Sequence, residues 1–110
     1  MNVLILAREE VVAALLGLMV ELRGMQPRFL TENESVMDVL DRDREVVLID
    51  CDHSACQADT IDLIKKSGGE PILFSPFRFQ AEVTNLARRY GVKSFTLPID
   101  TESFDRLLKP

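Results

Sequence analysis

The feature that most constrains the fold is an unbroken apolar run near the middle of the chain, Val46-Val47-Leu48-Ile49, which ends on Asp50. A short β-branched run without polar alternation is typical of a strand buried on both faces, as in a parallel sheet covered by helices. In open α/β sheets, ligands and chemistry lie just outside the carboxyl ends of the strands. The sequence therefore predicts that Asp50 stands where a reactive carboxylate could act.

The rest of the chain alternates between short strand patterns and helical patterns. The predicted strands are Val3–Ala7, Arg28–Thr31, Glu45–Asp50, Pro71–Ser75 and Ser94–Leu97. The predicted helices are Glu9–Arg23, a short helix capped by Asn33 and carrying Val36, Val39 and Leu40, a helix capped by Asp59 and ending at Lys66, Gln80–Tyr90, and Thr101–Lys109. Repeated β-α units with short connections favour right-handed crossovers and a parallel sheet. We predict a single α/β domain over 1–110: a flavodoxin-like, five-stranded parallel sheet of order 2-1-3-4-5 with helices on both faces.

The first predicted helix is apolar along most of its length. Val12, Leu15, Leu16, Met19 and Leu22 recur at helical spacing and are predicted to face the core. Gly17 interrupts this helix at a cost of about 1 kcal/mol relative to alanine, so we expect that packing requires it.

Charge and composition exclude several classes of protein. The formal net charge of -5 argues against binding to nucleic acid or to anionic membranes. No apolar run approaches the roughly 20 residues that span a bilayer, and the chain enters a strand pattern directly, so we expect no signal peptide. Two cysteines do not form a disulfide framework, and we predict a cytoplasmic location.

An ordered set of motifs over nearly the whole chain resembles the receiver domains of response regulators. The motifs are Val3-Leu4-Ile5-Leu6, Val46 to Asp50, Pro71-Ile72-Leu73-Phe74-Ser75, Tyr90-Gly91-Val92 and Pro98. The resemblance implies that Asp50 would accept a phosphoryl group and that Ser75 would hydrogen-bond to it. It also implies an acid pair that holds Mg²⁺ at the end of the first strand, and a lysine just before the proline that follows the fifth strand.

This chain departs from the receiver pattern where the chemistry is done. The acid-pair positions match Ala7 and Arg8, and the lysine position reads Leu97, which precedes Pro98. The segment between Gly91 and Pro98 is one residue short, so the lysine is either replaced or deleted. The predicted pocket at the strand ends consists of Ala7, Arg8, Asp50, Ser75, Leu97 and Pro98.

Loss of two carboxylates removes most of the ligand charge of a Mg²⁺ site, and phosphoryl transfer depends on such charge neutralisation. Glu9 or Glu10 could substitute only if the strand end slipped, which would exchange the faces of the strand. We hypothesise instead that the Arg8 guanidinium pairs with Asp50. The chain is accordingly predicted to be a degenerate receiver (pseudo-receiver), without a metal, a cofactor or an enzymatic activity, that acts through protein–protein contact.

The predicted contact surface centres on Phe77-Arg78-Phe79, which follows the fourth strand. Aromatic and arginine side chains are enriched at interfaces. We expect one of the two phenylalanines to be buried and the other exposed. The surface is extended by Arg88, Arg89, Tyr90 and Phe95, and it is predicted to comprise the fourth helix, the fifth strand and the fifth helix. Its partner is predicted to be a signalling protein or a second copy of the chain.

Two alternatives remain open from the sequence. In the first, Asp50 is a weakly competent phosphoacceptor with an unusual metal arrangement. In the second, the chain is a thiol redox protein that uses Cys51, although the adjacent acid should raise the pKa of that thiol and reduce its reactivity. Cys56 and His53 lie in the same loop, where we expect an inert thiol and a solvated imidazole. For Ser75 we also weigh a local role, in which its hydroxyl hydrogen-bonds to the main chain.

Overall fold

The structure, a computed structural model, describes residues 2–30, 34–39 and 45–109. Its strands are β1 (Asn2–Leu6), β2 (Gln26–Phe29), β3 (Val46–Asp50), β4 (Glu70–Ser75) and β5 (Lys93–Thr96). Its helices are α1 (Glu10–Glu21), α2 (Val36–Val39), α3 (Ala58–Lys66), α4 (Gln80–Tyr90) and α5 (Thr101–Leu108). The predicted cap Asn33, as well as Thr31 and Leu40, lies outside the described residues.

The five strands form one parallel sheet in the order β2-β1-β3-β4-β5, which confirms the predicted topology. In the register, Val3 lies beside Val46, and Val46 lies beside Glu70 on the other side. All strands run in one direction, so the carboxyl ends of β1, β3, β4 and β5 meet at one edge. Asp50, the last residue of β3, stands at the centre of that edge.

The core lies on both faces of the sheet, because successive strand residues point to opposite sides. A first core cluster joins Leu4, Val47 and Ile49 to the buried sides of α3 and α4. A second core cluster joins Val3 and Leu48, among others, to α1 and α5. Every residue of β3 is buried, as expected of a strand covered by helices on both faces.

The rotation of α1 differs from the prediction. Leu16, Gly17 and Val20 are its buried residues, whereas Leu15 and Leu22, predicted to face inward, are exposed. The cause is the close approach of α1 to β2: a Cβ atom on Gly17 would lie 2.9 Å from the Phe29 ring. A side chain at position 17 would have to displace the end of the Phe29 ring, which is 46% exposed, so packing favours Gly17 without making it indispensable.

Most strands and helices begin or end one or two residues from their predicted bounds, and three of these differences follow. The strand β2 begins two residues earlier than predicted, with Pro27 beside Val3 of β1. The helix α3 has Gln57 rather than Asp59 at its N-cap. Asp59 lies in the first turn, where its negative charge interacts favourably with the positive end of the helix dipole. The strand β5 covers Lys93–Thr96, so Leu97 falls just beyond it. None of the helices in the described ranges has the length and apolar character needed to span a bilayer.

Candidate functional site at the carboxyl edge of the sheet

Asp50 is 1% exposed. Backbone N–H groups from the loops after β1 and β3 hydrogen-bond to both of its carboxylate oxygens. Oδ2 accepts a hydrogen bond from the backbone N–H of Arg8 at 3.2 Å, and Oδ1 accepts one from the backbone N–H of Asp52 at 2.9 Å. Hydrogen bonding to the main chain satisfies a buried carboxylate without a side-chain cation. Asp50 is thus a positioned acid, and neither of its oxygens is free of a protein donor.

Arg8 contacts Asp50 through its main chain only, which makes the hypothesised guanidinium–carboxylate pair wrong. The Arg8 side chain is exposed, and the ion pairs formed among the described residues do not include an Arg8–Asp50 pair. The reason is geometric: β1 ends at Leu6, and the chain then turns its N–H at position 8 toward Asp50 while the side chain leaves toward solvent.

Arg78 supplies a cation in this part of the site. Its Nη2 lies 2.7 Å from Oδ1 of Asp52, and the pair bridges the loop after β3 and the loop after β4. The hydrogen bond from Arg78 lowers the pKa of the Asp52 carboxyl, and the same contact raises the pKa of Arg78. The sequence placed Arg78 on a contact surface and did not predict this pairing.

Ser75 ends β4 fully buried, and its hydroxyl holds the loop that follows. Its Oγ accepts hydrogen bonds from the backbone N–H groups of Phe77 at 3.2 Å and Arg78 at 2.9 Å. This is the local role weighed from the sequence, in which a strand-end serine organises a turn. Ser75 therefore sets the direction in which the Phe77–Phe79 segment leaves the sheet.

Two other residues of the predicted pocket are part of the core. Ala7 and Leu97 are half-buried and pack against the second core cluster. Pro98 is exposed and follows Leu97 through a cis peptide bond. The backbone N–H of Leu97 donates to the Ser75 carbonyl at 3.3 Å, which carries the β4–β5 pairing one step further. The structure therefore brings these residues to one edge but gives them packing contacts, not charge.

The resemblance to receiver domains implies Mg²⁺ at this edge, and the residues present do not fit it. Among the described residues, no group of three or more His, Cys, Asp or Glu side chains could hold a metal ion. Asp52, two residues after Asp50, is engaged by Arg78, and both oxygens of Asp50 accept main-chain hydrogen bonds. Mg²⁺ is usually bound through one or two carboxylates, with octahedral geometry and retained waters.

The loop after β3 contains a pair of interacting thiols that the sequence did not predict as a pair. Cys51 is buried, and its thiol hydrogen-bonds to that of Cys56; this contact, with burial, raises the pKa of Cys51. The same hydrogen bond lowers the pKa of Cys56. The predicted direction for Cys51 agrees, but the Cys56 thiol is a larger cause than Asp50. His53 is half-buried rather than solvated: its Nδ1 accepts from the Ala55 N–H, and burial lowers its pKa.

Both phenylalanines of the loop after β4 are exposed, which corrects the expectation that one would be buried. Phe77 is 77% and Phe79 80% exposed. Phe95 was predicted to extend the contact surface, and this prediction is wrong. Phe95 is buried between Phe74 and Phe104, with ring centroids 5.5 and 5.7 Å away, and offers no contact surface. An inward position in β5 explains this, because alternate residues of that strand face the core.

The remaining predicted contact residues lie far from this loop. Arg88 and Arg89 are exposed near the end of α4, roughly 12–14 Å along the helix from Gln80. Tyr90 is half-buried against the first core cluster, and its carbonyl accepts a hydrogen bond from Lys65 Nζ at 2.6 Å. The predicted surface thus divides into an aromatic loop at the carboxyl edge and a basic end of α4.

Comparison with known proteins identifies the fold. No protein-family model and no curated protein matches the sequence. Solved structures do match: a response regulator receiver protein from Burkholderia phymatum has a TM-score of 0.76 at 15% identity, covering 96% of this chain and 89% of its own. A response regulator from Thermotoga maritima has a TM-score of 0.75 at 11% identity, covering 97% and 96%. A third, from Burkholderia pseudomallei with a phosphorylated aspartic acid, calcium ion and citrate, has a TM-score of 0.74 at 17% identity, covering 98% and 66%.

The class of fold is therefore the flavodoxin-like α/β sandwich, with strand order 2-1-3-4-5. Within that class, the chain has the fold of response-regulator receiver domains. At these identities the likeness concerns the fold, and function has to be argued from the site.

Proposed function

We propose that this chain is a degenerate receiver domain in signal transduction, which acts through protein–protein contact without phosphorylation of Asp50. The observation that carries the proposal is the make-up of the sheet edge. The acid-pair positions are Ala7 and Arg8, Asp50 is held by main-chain N–H groups, and Asp52 pairs with Arg78. Such an edge lacks the ligand charge on which metal-assisted phosphoryl transfer depends.

The loop Phe77–Phe79 is the docking surface of this proposal. Two aromatic side chains, each more than three-quarters exposed, are held beside the Asp50 site by the Ser75 hydroxyl. Phenylalanine and arginine side chains are among those enriched at protein–protein interfaces. The partner that fits is a signalling protein with an apolar pocket wide enough for one or both rings.

The same proposal includes two further statements about the protein. It carries no enzymatic activity of its own: Asp50, the acid at this edge, is held by main-chain N–H groups, and the neighbouring Asp52 is paired with Arg78. It is placed in the cytoplasm, which remains a prediction from its cysteine content.

Phosphoryl labelling tests the first part. Purified chain, Asp50→Asn and a receiver domain known to react are incubated with acetyl phosphate and Mg²⁺, and the intact mass of each is measured. We expect a phosphoryl adduct on the competent receiver and none on this chain. An adduct on the wild type that is absent from Asp50→Asn would establish the alternative, a phosphoacceptor with a new metal geometry.

Partner binding tests the second part. Wild type, Asp50→Asn and the double variant Phe77→Ser/Phe79→Ser serve as baits in cells, and proteins enriched with each are quantified and then re-tested as purified pairs. We expect a purified signalling partner to bind wild type and Asp50→Asn equally and to bind the double variant at least tenfold more weakly. Equal binding by all three would refute docking through this loop, and loss with Asp50→Asn alone would refute independence from Asp50.

The reactivity of the Cys51 thiol tests the second alternative, a thiol redox protein. Titration with a thiol reagent at neutral pH, with Cys56→Ser as control, should show slow modification of the buried Cys51. A Cys51 thiol that reacts fast, and whose oxidation is coupled to the reduction of a partner protein, would favour the thiol redox protein instead.

A further inference from the structure

The outer face of α1 carries an exposed apolar stripe that the proposed docking loop does not use. Val11 is 81% exposed, Leu15 48%, Leu18 55% and Leu22 75%. Their spacing of four, three and four residues places them along one side of the helix, opposite the buried Leu16–Gly17 side. These side chains together expose the equivalent of roughly two to three whole side chains, on the order of 300 Å² of apolar surface.

The stripe is complementary to itself. The spacing four-three-four reads the same in both directions, so two copies of α1 can pair antiparallel about a two-fold axis between Leu15 and Leu18. That pairing sets Val11 against Leu22 of a second copy, and Leu15 against Leu18. An isologous dimer requires such a patch, in which each residue meets the partner position that meets it in return. The spacing also matches the a and d positions of antiparallel helix pairs.

Charges beside the stripe permit this pairing. On one flank lie Ala14 and Glu21, and the antiparallel arrangement sets Glu21 opposite Ala14 of the second copy, not opposite another acid. The other flank, Val12 and Met19, is apolar and partly buried.

We propose that α1 is a self-association surface, through which two copies of this chain form an antiparallel, two-fold symmetric dimer. The apolar centre of about 300 Å² per copy is smaller than the roughly 800 Å² per partner of a standard interface, and the flanking residues supply the rim. The dimer is therefore at the weak end of specific association, with a dissociation constant of about 1 µM or weaker. The proposal does not depend on the docking loop or on the state of Asp50.

Sedimentation velocity over about 5 to 500 µM chain tests self-association. We expect the wild type to shift from monomer to dimer and Leu15→Gln/Leu18→Gln to associate at least tenfold more weakly. The matched control is Phe77→Ser/Phe79→Ser, which removes two more exposed apolar side chains elsewhere and should dimerise as the wild type does. Far-ultraviolet circular dichroism and thermal unfolding verify that each variant is folded. A monomeric wild type over this range, or a dimer unaffected by the α1 changes, would overturn the proposal.

Cysteine cross-linking tests the orientation. A mixture of the Val11→Cys and Leu22→Cys chains should form an intermolecular disulfide on mild oxidation, faster than either chain alone, with the wild type as blank for Cys51 and Cys56. An antiparallel pair separates two copies of position 11 by roughly 16 Å along the axis, since each residue rises 1.5 Å. Faster cross-linking of Val11→Cys with itself would identify a parallel pair and refute the antiparallel arrangement. Loss of dimer in the Phe77→Ser/Phe79→Ser control would reassign self-association to the docking loop.

Discussion

The substitution Arg23→Met removes a guanidinium that lies between the end of α1 and α5. The Arg23 side chain is only 11% exposed, and its Nη1 donates to the Met19 carbonyl at 2.6 Å. Its Nη2 donates to the Thr101 carbonyl at 3.2 Å, and its Nε forms an ion pair with Asp105. The guanidinium also lies over the Phe104 ring, 5.0 Å from the centroid. Methionine keeps most of the stem over that ring and removes every polar contact.

The expected loss follows from these contacts. Hydrogen bonds from a charged donor stabilise by about 1.5–3 kcal/mol each, and the contact with Phe104 adds about 0.5–2 kcal/mol. Two terms offset the loss: the guanidinium no longer has to be desolvated, and the Thr101 carbonyl can bond to water. The Asp105 side chain is 39% exposed, so its ion pair contributes at most about 1 kcal/mol. We expect a net decrease in the free energy of unfolding of about 2–3 kcal/mol.

Urea unfolding followed by circular dichroism measures this decrease. The control is Arg106→Met, an exposed arginine on α5, which should change the free energy of unfolding by less than about 0.5 kcal/mol. Amide hydrogen exchange should show that α5 loses protection first in Arg23→Met, because α5 is the element that Arg23 holds. If Arg23→Met and Arg106→Met prove equally stable, Arg23 is not the link between α1 and α5.

Three other changes test single contacts. Ser75→Ala removes the acceptor of two backbone N–H groups and should cost about 1–3 kcal/mol in urea unfolding, whereas Ser75→Thr, which keeps a hydroxyl, should cost less. Gly91→Ala places a side chain at a residue with φ 67° and should lower the free energy of unfolding by about 1–2 kcal/mol, and Gly91→Asn should lower it by less. Equal free energies of unfolding for the two variants would contradict the strain expected of a side chain in this conformation. Hydrogen bonds from the Ser103 hydroxyl and N–H lower the pKa of Asp100, so its carboxylate stabilises the fold above the unfolded pKa and stops doing so as pH falls through the folded one. The difference in melting temperature between wild type and Asp100→Asn should therefore shrink from about pH 6 to about pH 3, and a constant difference would argue against the cap.

Strand β3 and helix α4 could be predicted from the sequence because each has a signal that tertiary contacts reinforce. The apolar residues of β3 are all buried, so their unbroken pattern corresponds to a strand covered on both faces. The helix α4 ends where Gly91 adopts a left-handed conformation, and its bounds agree with the prediction. In both, local preference and tertiary environment favour the same structure.

The buried side of α1 could not be predicted, because the helix itself carries apolar residues on nearly every side. Leu15 and Leu16 are adjacent and chemically identical, yet one is exposed and the other fully buried. Leu16 packs in the second core cluster, and on the same side Gly17 lies beside Phe29 of β2, where a Cβ atom would be 2.9 Å from the ring. That contact joins residues 12 apart in the chain and belongs to no local pattern, so the periodicity of the helix alone left its rotation undetermined.

The polar contacts of the site, and those of Arg23, could not be predicted from the sequence either. The pair formed by Arg78 and Asp52 joins two loops 26 residues apart, and no spacing rule connects them. Arg23 likewise reaches Asp105 across the second core cluster. The backbone bonds to Asp50 depend on where β1 ends and how the chain turns after Leu6. Sequence placed Asp50 at the correct edge, but the identity of its neighbours depended on loop geometry.

At two positions where the resemblance implies charge, this chain extends its core. Ala7 and Leu97 both pack against the second core cluster, where an unpaired acid or lysine would be costly. A phosphoryl group on Asp50 would bring about −1.5 to −2 charges to a carboxylate whose oxygens already accept main-chain hydrogen bonds. The nearby cations are Arg8, which is exposed, and Arg78, which is engaged by Asp52. Neutralising that charge would require the exposed Arg8 side chain to turn toward Asp50 or Arg78 to leave Asp52, and by the second route phosphorylation would compete with the contact that joins the loops after β3 and β4.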